Sequence, residues 1–146
     1  MVGYERTIQI DAPLAAVWAV LADVERWPEW TPSILSVVRK EPGPLGLAST
    51  AKVKPKGFPE SLLRVTEFSP GRSFMWEGSG GPGLRVILAH AVEPAADRGS
   101  RVTLTISAAG PLAPFAGWLV ARMSKRNVDT EAESLKRRVE QPAPEG

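Results

Sequence analysis

Only one side chain in this sequence titrates near neutral pH without help from its surroundings, and that is His90. It shares strand parity with Val86, Leu88 and Val92, which turns it inward. There an imidazole can orient a ligand hydroxyl or carbonyl, or act as a general base. The same position suits a core histidine satisfied by backbone. No Gly-x-Ser-x-Gly elbow supplies a nucleophile for a hydrolytic triad. A single histidine leaves no His cluster for zinc or iron, and the absence of cysteine excludes disulfides, thiol catalysis and thiolate metal sites. No EF-hand spacing occurs, so the expectation is a protein without metal or redox cofactor.

Other residue groups invite a chemical reading and also a plainer one. Gly78, Gly80, Gly81 and Gly83 look like a phosphate loop, but no Lys-Ser/Thr follows and the next segment is a strand. A hairpin loop is the better reading. Lys52, Lys54 and Lys56 alternate with Val53, Pro55 and Gly57, a pattern read as a solvated strand edge rather than a nucleic-acid site. The basic and acidic residues of the last segment, Glu131 among them, read as a solvated helix surface. Trp27, Trp30 and Trp76 serve equally as core or as walls of a cavity, with Phe74 in parity with Trp76. Ser49 joins His90 as a polar group able to orient a ligand.

The elements that must position these residues are readable. Tyr4 to Ile10 alternates as a strand, and Asp11 is placed to cap a helix with Pro13 in its first turn. Leu14, Val17, Trp18 and Leu21 give that helix an apolar face, and Asp23 to Trp27 makes a second short helical turn stopped by Pro28. Six strands follow, at Ile34–Lys40, Leu47–Lys54, Glu60–Phe68, Ser73–Gly78, Leu84–Glu93 and Arg101–Ala109, separated by Gly/Pro turns. Short turns between consecutive strands predict an antiparallel meander.

Residues 111–139 read as one long helix with two apolar stripes. Leu112, Phe115, Leu119 and Met123 form one; Pro114, Gly117, Ala121, Val128, Ala132, Leu135 and Val139 form the other. Gly inside a helix costs about 1 kcal/mol relative to Ala, so Gly117 asks for a reason. A cavity beneath Gly117 and Ala121 supplies one, with Phe115 and its stripe closing the mouth, covering loops or meeting a second subunit.

The 146 residues carry 18 basic and 16 acidic side chains, a net charge of +2 that argues only weakly for nucleic acid. The length suits one domain over residues 1–140, with residues 141–146 as a frayed C-terminal tail. The longest apolar run, Leu14 to Ala22, is nine residues, about half a membrane span. No secretory or lipidation signal is seen, and the location expected is cytoplasmic.

The chain resembles the START/Bet v 1-like (SRPBCC) superfamily, in particular its bacterial polyketide cyclase/dehydrase and lipid-transport branch. The residues that carry the resemblance are Ile10-Asp11-Ala12-Pro13, Val17-Trp18, Leu21-Ala22-Asp23 and Trp27-Pro28-Glu29-Trp30-Thr31-Pro32. It continues at Gly46, Phe68-Ser69-Pro70-Gly71-Arg72, Trp76, Val92-Glu93-Pro94, Gly99-Ser100-Arg101-Val102-Thr103-Leu104, Gly110 and Leu135-Lys136. The resemblance implies an α+β helix-grip fold: a curved antiparallel sheet of about seven strands wrapped around the long C-terminal helix, with two short helices between the first two strands. It also implies a mostly apolar cavity between sheet and helix, holding a lipid, polyketide or other hydrophobic molecule. Leu88, Leu104 and Ile106 stand where many relatives carry a histidine or an acid, and all three are aliphatic here. That departure favours binding over acid/base catalysis.

The expected function is therefore binding, and carrying, a small hydrophobic molecule. The expected lining is Trp30, Ser49, Phe74, Trp76, Val86, Leu88, His90, Leu104, Ile106, Phe115, Gly117 and Ala121. One alternative is a polyketide cyclase/dehydratase-like enzyme with His90 as its acid/base. The other is a protein-interaction module docking through the lysine strand and the second helix stripe. No cofactor, no nucleic acid and no integral membrane segment are expected, and the state is monomer or homodimer.

Overall fold

The computed structural model describes residues 2–141. Strand β1 (Val2–Ile10) leads into helix α1 (Leu14–Ala22), a 3-10 turn (Val24–Arg26) and the short helix α2 (Trp27–Trp30). The meander follows as β2 (Ile34–Arg39), β3 (Thr50–Pro55), β4 (Ser61–Ser69), β5 (Ser73–Ser79), β6 (Arg85–Pro94) and β7 (Ser100–Ala109), before helix α3 (Ala113–Glu140). The tail expected over residues 141–146 lies outside the described residues from position 142 onward.

All seven strands form one antiparallel sheet in the order β1-β7-β6-β5-β4-β3-β2. The meander neighbours pair through connections of three to five residues, except for the longer β2–β3 connection over residues 40–49, and β1 adds itself beside β7. The sheet curls into a half-barrel around α3, which is the helix-grip fold of class α+β. Register shifts between Ile34 and Ser36 and between Val65 and Glu67 bend β2 and β4, as bulges do.

Two local expectations are corrected. Asp11 does not cap α1: Pro13 holds the N-cap position, its carbonyl accepting from the N–H groups of Ala16 and Val17, while the Asp11 N–H donates to Glu140 at 2.7 Å. The lysine strand is not an edge: β3 lies between β2 and β4, and the edges are β1 and β2. Lys52 is exposed on the convex face while Ala51 and Val53 are buried on the other, so alternation reports the face and not the place in the sheet.

Helix α3 buries Gly117, Val128, Ala132 and Leu135 of the second stripe against the sheet. The other stripe stays outside, with Leu112, Phe115, Leu119 and Met123 exposed alongside Trp118. A polar clasp fixes α3 to the β1 edge: Asp129 accepts from the Tyr4 hydroxyl at 2.5 Å and from Arg6 at 3.1 Å, and pairs with Lys125 at 2.8 Å. No helix among the described residues is long and apolar enough to cross a membrane.

Candidate functional site

The concave face of the sheet is built in rows, because paired residues on neighbouring strands share a face. One row runs Leu104, His90, Phe74; the next Ile106, Leu88, Trp76; the third Ala108, Val86, Gly78. The first row is sealed by Trp27 and Trp18, whose rings meet Phe74 at 6.3 Å and 6.2 Å. Beyond it a pocket of about 310 Å³ opens between the second and third rows and α3. That volume is at the lower end of the range for small-molecule sites.

Its walls are largely apolar. Trp76, Gly78, Val86, Leu88 and Ile106 come from β5–β7, and Ile34, Val53 and Leu63 from β2–β4. Trp27 forms part of the inner wall, and Phe58 and Pro59 of the β3–β4 loop stand at the other end. Gly78 is required there by packing: a Cβ on it would lie 2.7 Å from the Leu62 carbonyl oxygen. Ser79 and Gly80 carry the lining into the glycine-rich hairpin loop.

Helix α3 supplies the polar side. Val120, Ser124, Asn127, Val128 and Glu131 line the pocket at successive turns of one helix face. Asn127 is anchored, its Nδ2 donating to the Lys56 carbonyl at 2.9 Å. Glu131 is only 9% exposed, and none of the ion pairs or hydrogen bonds among the described residues involves its carboxyl. Burial without a countercharge pushes its pKa up to about 8, so it is largely protonated at neutral pH. Its reading as a solvated helix residue is thus corrected. The charge pattern of the helix is real, but the 3.6-residue period turns position 131 to the inside with Val128 and Leu135.

His90 lies in the sealed row. It is buried among Phe74, Trp27 and Trp76, with ring centroids 4.3 Å, 5.3 Å and 6.2 Å away. Burial lowers its pKa to about 4, which keeps the imidazole neutral at physiological pH. Its Nδ1 has no hydrogen-bond partner.

Of the twelve residues expected as lining, the pocket gathers Trp76, Val86, Leu88 and Ile106, and it also takes in Trp27, Gly78 and Gly80. His90, Phe74 and Leu104 form the neighbouring sealed row and are not among its lining residues. Trp30 packs edge-on against Trp27 at 6.1 Å, away from the lining. Ser49 is buried in the β2–β3 connection, where its hydroxyl accepts from the Gly46 N–H at 3.0 Å and from Arg39 at 3.3 Å. On α3, Gly117 is buried and Ala121 half-buried, neither lining the pocket, and Phe115 is 75% exposed on the far side. Sequence reasoning missed Ser124, Asn127 and Glu131, for which the 3.6-residue period was the available signal. It also missed Ile34, Val53 and Leu63, whose strand alternation gives the face but not the span of the pocket. Among the described residues no cluster of His, Asp or Glu suits a metal ion.

Comparison with known proteins agrees with this architecture. Residues 1–140 match the family described as polyketide cyclase / dehydrase and lipid transport, and the chain belongs to that family. Among solved structures it is similar to Ara h 8.0201, with 20% identity and a TM-score of 0.73 over 94% of this chain and 96% of that one. It is also similar to a START superfamily protein from Mycobacterium smegmatis, with 17% identity and a TM-score of 0.72 over 98% of this chain and 100% of that one. A hypothetical protein from Helicobacter pylori gives 18% identity and a TM-score of 0.74, covering 92% of this chain and 84% of that one. At these identities the likeness is one of fold. No curated protein matches the chain significantly in sequence.

Proposed function

We propose that this protein binds a small hydrophobic molecule in the pocket between the sheet and α3. The observation that carries the reading is the pocket itself: apolar side chains from both halves of the sheet enclose it, and α3 offers Ser124, Asn127 and Glu131 along one side. Removing apolar ligand surface from water supplies affinity at roughly 25 cal/mol per Å² before ordering costs are subtracted. The few polar groups fix orientation. Membership in a family named for polyketide cyclisation and lipid transport supports the same reading.

Binding is favoured over acid/base catalysis through His90. A general base must reach the proton it abstracts, and His90 lies in the sealed row under Trp27 with its pKa lowered by burial. Denaturing extraction of the purified protein followed by mass spectrometry tests the proposal. A stoichiometric apolar small molecule is the expected result. If no molecule co-purifies and no apolar compound is retained after incubation, the proposal fails.

A further inference from the structure

The electrostatics of the pocket narrow the class of molecule it takes. No lysine, arginine or histidine is among its lining residues, and two glutamates are. Glu60 is exposed on the β3–β4 loop, whereas Glu131 is buried on α3. Among the cations next in sequence to lining residues, Lys54 gives its ammonium to the carbonyls of Pro55 and Phe58, and Lys56, Arg64, Arg85 and Arg126 are exposed outside the lining. Elsewhere on α3, Asp129 pairs with Tyr4, Arg6 and Lys125, Lys136 with Glu140 and Arg138 with Glu29, while Arg122, Arg126 and Arg137 are exposed and outside the lining. On the sheet side, Ile34, Val53, Leu63, Trp76, Val86 and Ile106 bring no charge at all.

Along α3 the polar side chains of the lining are Ser124, Asn127 and Glu131. One N–H of the Asn127 amide donates to the Lys56 carbonyl, which fixes the side chain and leaves Oδ1 with its acceptor capacity. Ser124 lies one turn before it and Glu131 one turn after. A buried carboxyl without a partner is costly, and a cation delivered by the ligand would remove that cost. A ligand carboxylate would instead be buried as a charge with no cation in the lining to offset it.

We propose that the pocket selects an apolar molecule carrying a basic nitrogen, with the Glu131 carboxylate receiving the ammonium and Asn127 and Ser124 beside it. The proposal rests on the pocket being the ligand site. Because burial holds the empty-site carboxyl protonated at neutral pH, capture of an ammonium releases a proton to the buffer. A neutral ligand releases none.

Titration with decylamine, decanol and decanoate at pH 7, each below its micellar concentration, tests this through the fluorescence of Trp27 and Trp76, both in the lining. Decylamine is expected to bind about tenfold tighter than decanol, and decanoate weakest, since a charge-assisted contact is about twice as strong as a neutral one. Calorimetry in two buffers of different ionisation enthalpy should show proton release for decylamine alone. Glu131→Gln, which keeps the shape, should remove the roughly tenfold preference, bringing decylamine and decanol to the same affinity in the variant. Decanol equal to or tighter than decylamine in the wild-type protein, or a preference that survives Glu131→Gln, overturns the amine selectivity and leaves the pocket as a ligand site. Failure of all three compounds to bind overturns both.

Discussion

His90 stacks face to face on Phe74, with ring centroids 4.3 Å apart and planes 12° from parallel. The two residues are register partners on β6 and β5, so the stack is fixed by strand pairing. Across the next row, Leu88 pairs with Trp76, and there the pocket begins. One step along the strands separates a sealed aromatic core from a ligand-sized space.

The histidine makes stability pH-dependent in a defined direction. Its pKa is lowered from 6.5 to about 4 in the folded protein, so the unfolded chain binds more protons between those values. The stabilisation is complete above pH 6.5 and is lost as pH falls through about 4, by about 3 kcal/mol at most. Denaturant midpoints of the wild type and His90→Leu across pH 4 to 7 should show it as a difference, wild type minus variant, that rises with pH.

Glu131 works in the opposite direction. Its pKa is raised from 4.5 to about 8, so the folded protein holds the extra proton, and stability falls as pH rises between those values. Glu131→Gln should remove this loss and stabilise the protein by about 2–4 kcal/mol at pH 9, while differing little below pH 4.5. From pH 4.5 to 6.5 the two slopes oppose each other in the wild type. A double variant flat across the whole range is the expected control.

Gly78→Ala should destabilise the fold by about 1–3 kcal/mol through overpacking. The new methyl would lie 2.7 Å from the backbone oxygen of Leu62 and 2.6 Å from Leu63 Cδ2, and the backbone contact cannot be relieved by a rotamer change. Gly80→Ala meets only the side chains of Val86 and Leu84, so it should cost less in a thermal melt.

The clasp on β1 should matter more than the surface pairs. Asp129→Ala removes the acceptor of Tyr4 and Arg6 and the partner of Lys125. A loss of about 1–3 kcal/mol is expected, against about 0–1 kcal/mol for Glu93→Ala, which breaks an exposed pair with Arg101. Chemical denaturation of the two variants provides the comparison.

Most of the fold is legible in the chain because each strand alternates and each turn carries Gly or Pro. Strand parity correctly puts Trp76, Val86, Leu88, His90 and Ile106 on one face. It does not say how far α1 and α2 extend over that face, and that extent separates His90 from Leu88. Helix α3 shows a similar limit. Counting apolar residues finds Val128, Ala132 and Leu135, but the pocket face lies slightly around the helix at Ser124, Asn127 and Glu131. Polar residues at buried helical positions look like surface residues until the period is applied to them as well.

The central claim is that the space between β5–β7 and α3 holds an apolar ligand, and fluorescence titration with N-phenyl-1-naphthylamine tests it most directly. Saturable one-to-one binding is expected in the wild-type protein. Val120→Trp, which places bulk on the pocket side of α3, should abolish that binding with less than about 1 kcal/mol change in stability. Absence of saturable binding in the wild type, or unchanged binding in a folded Val120→Trp variant, would contradict the account.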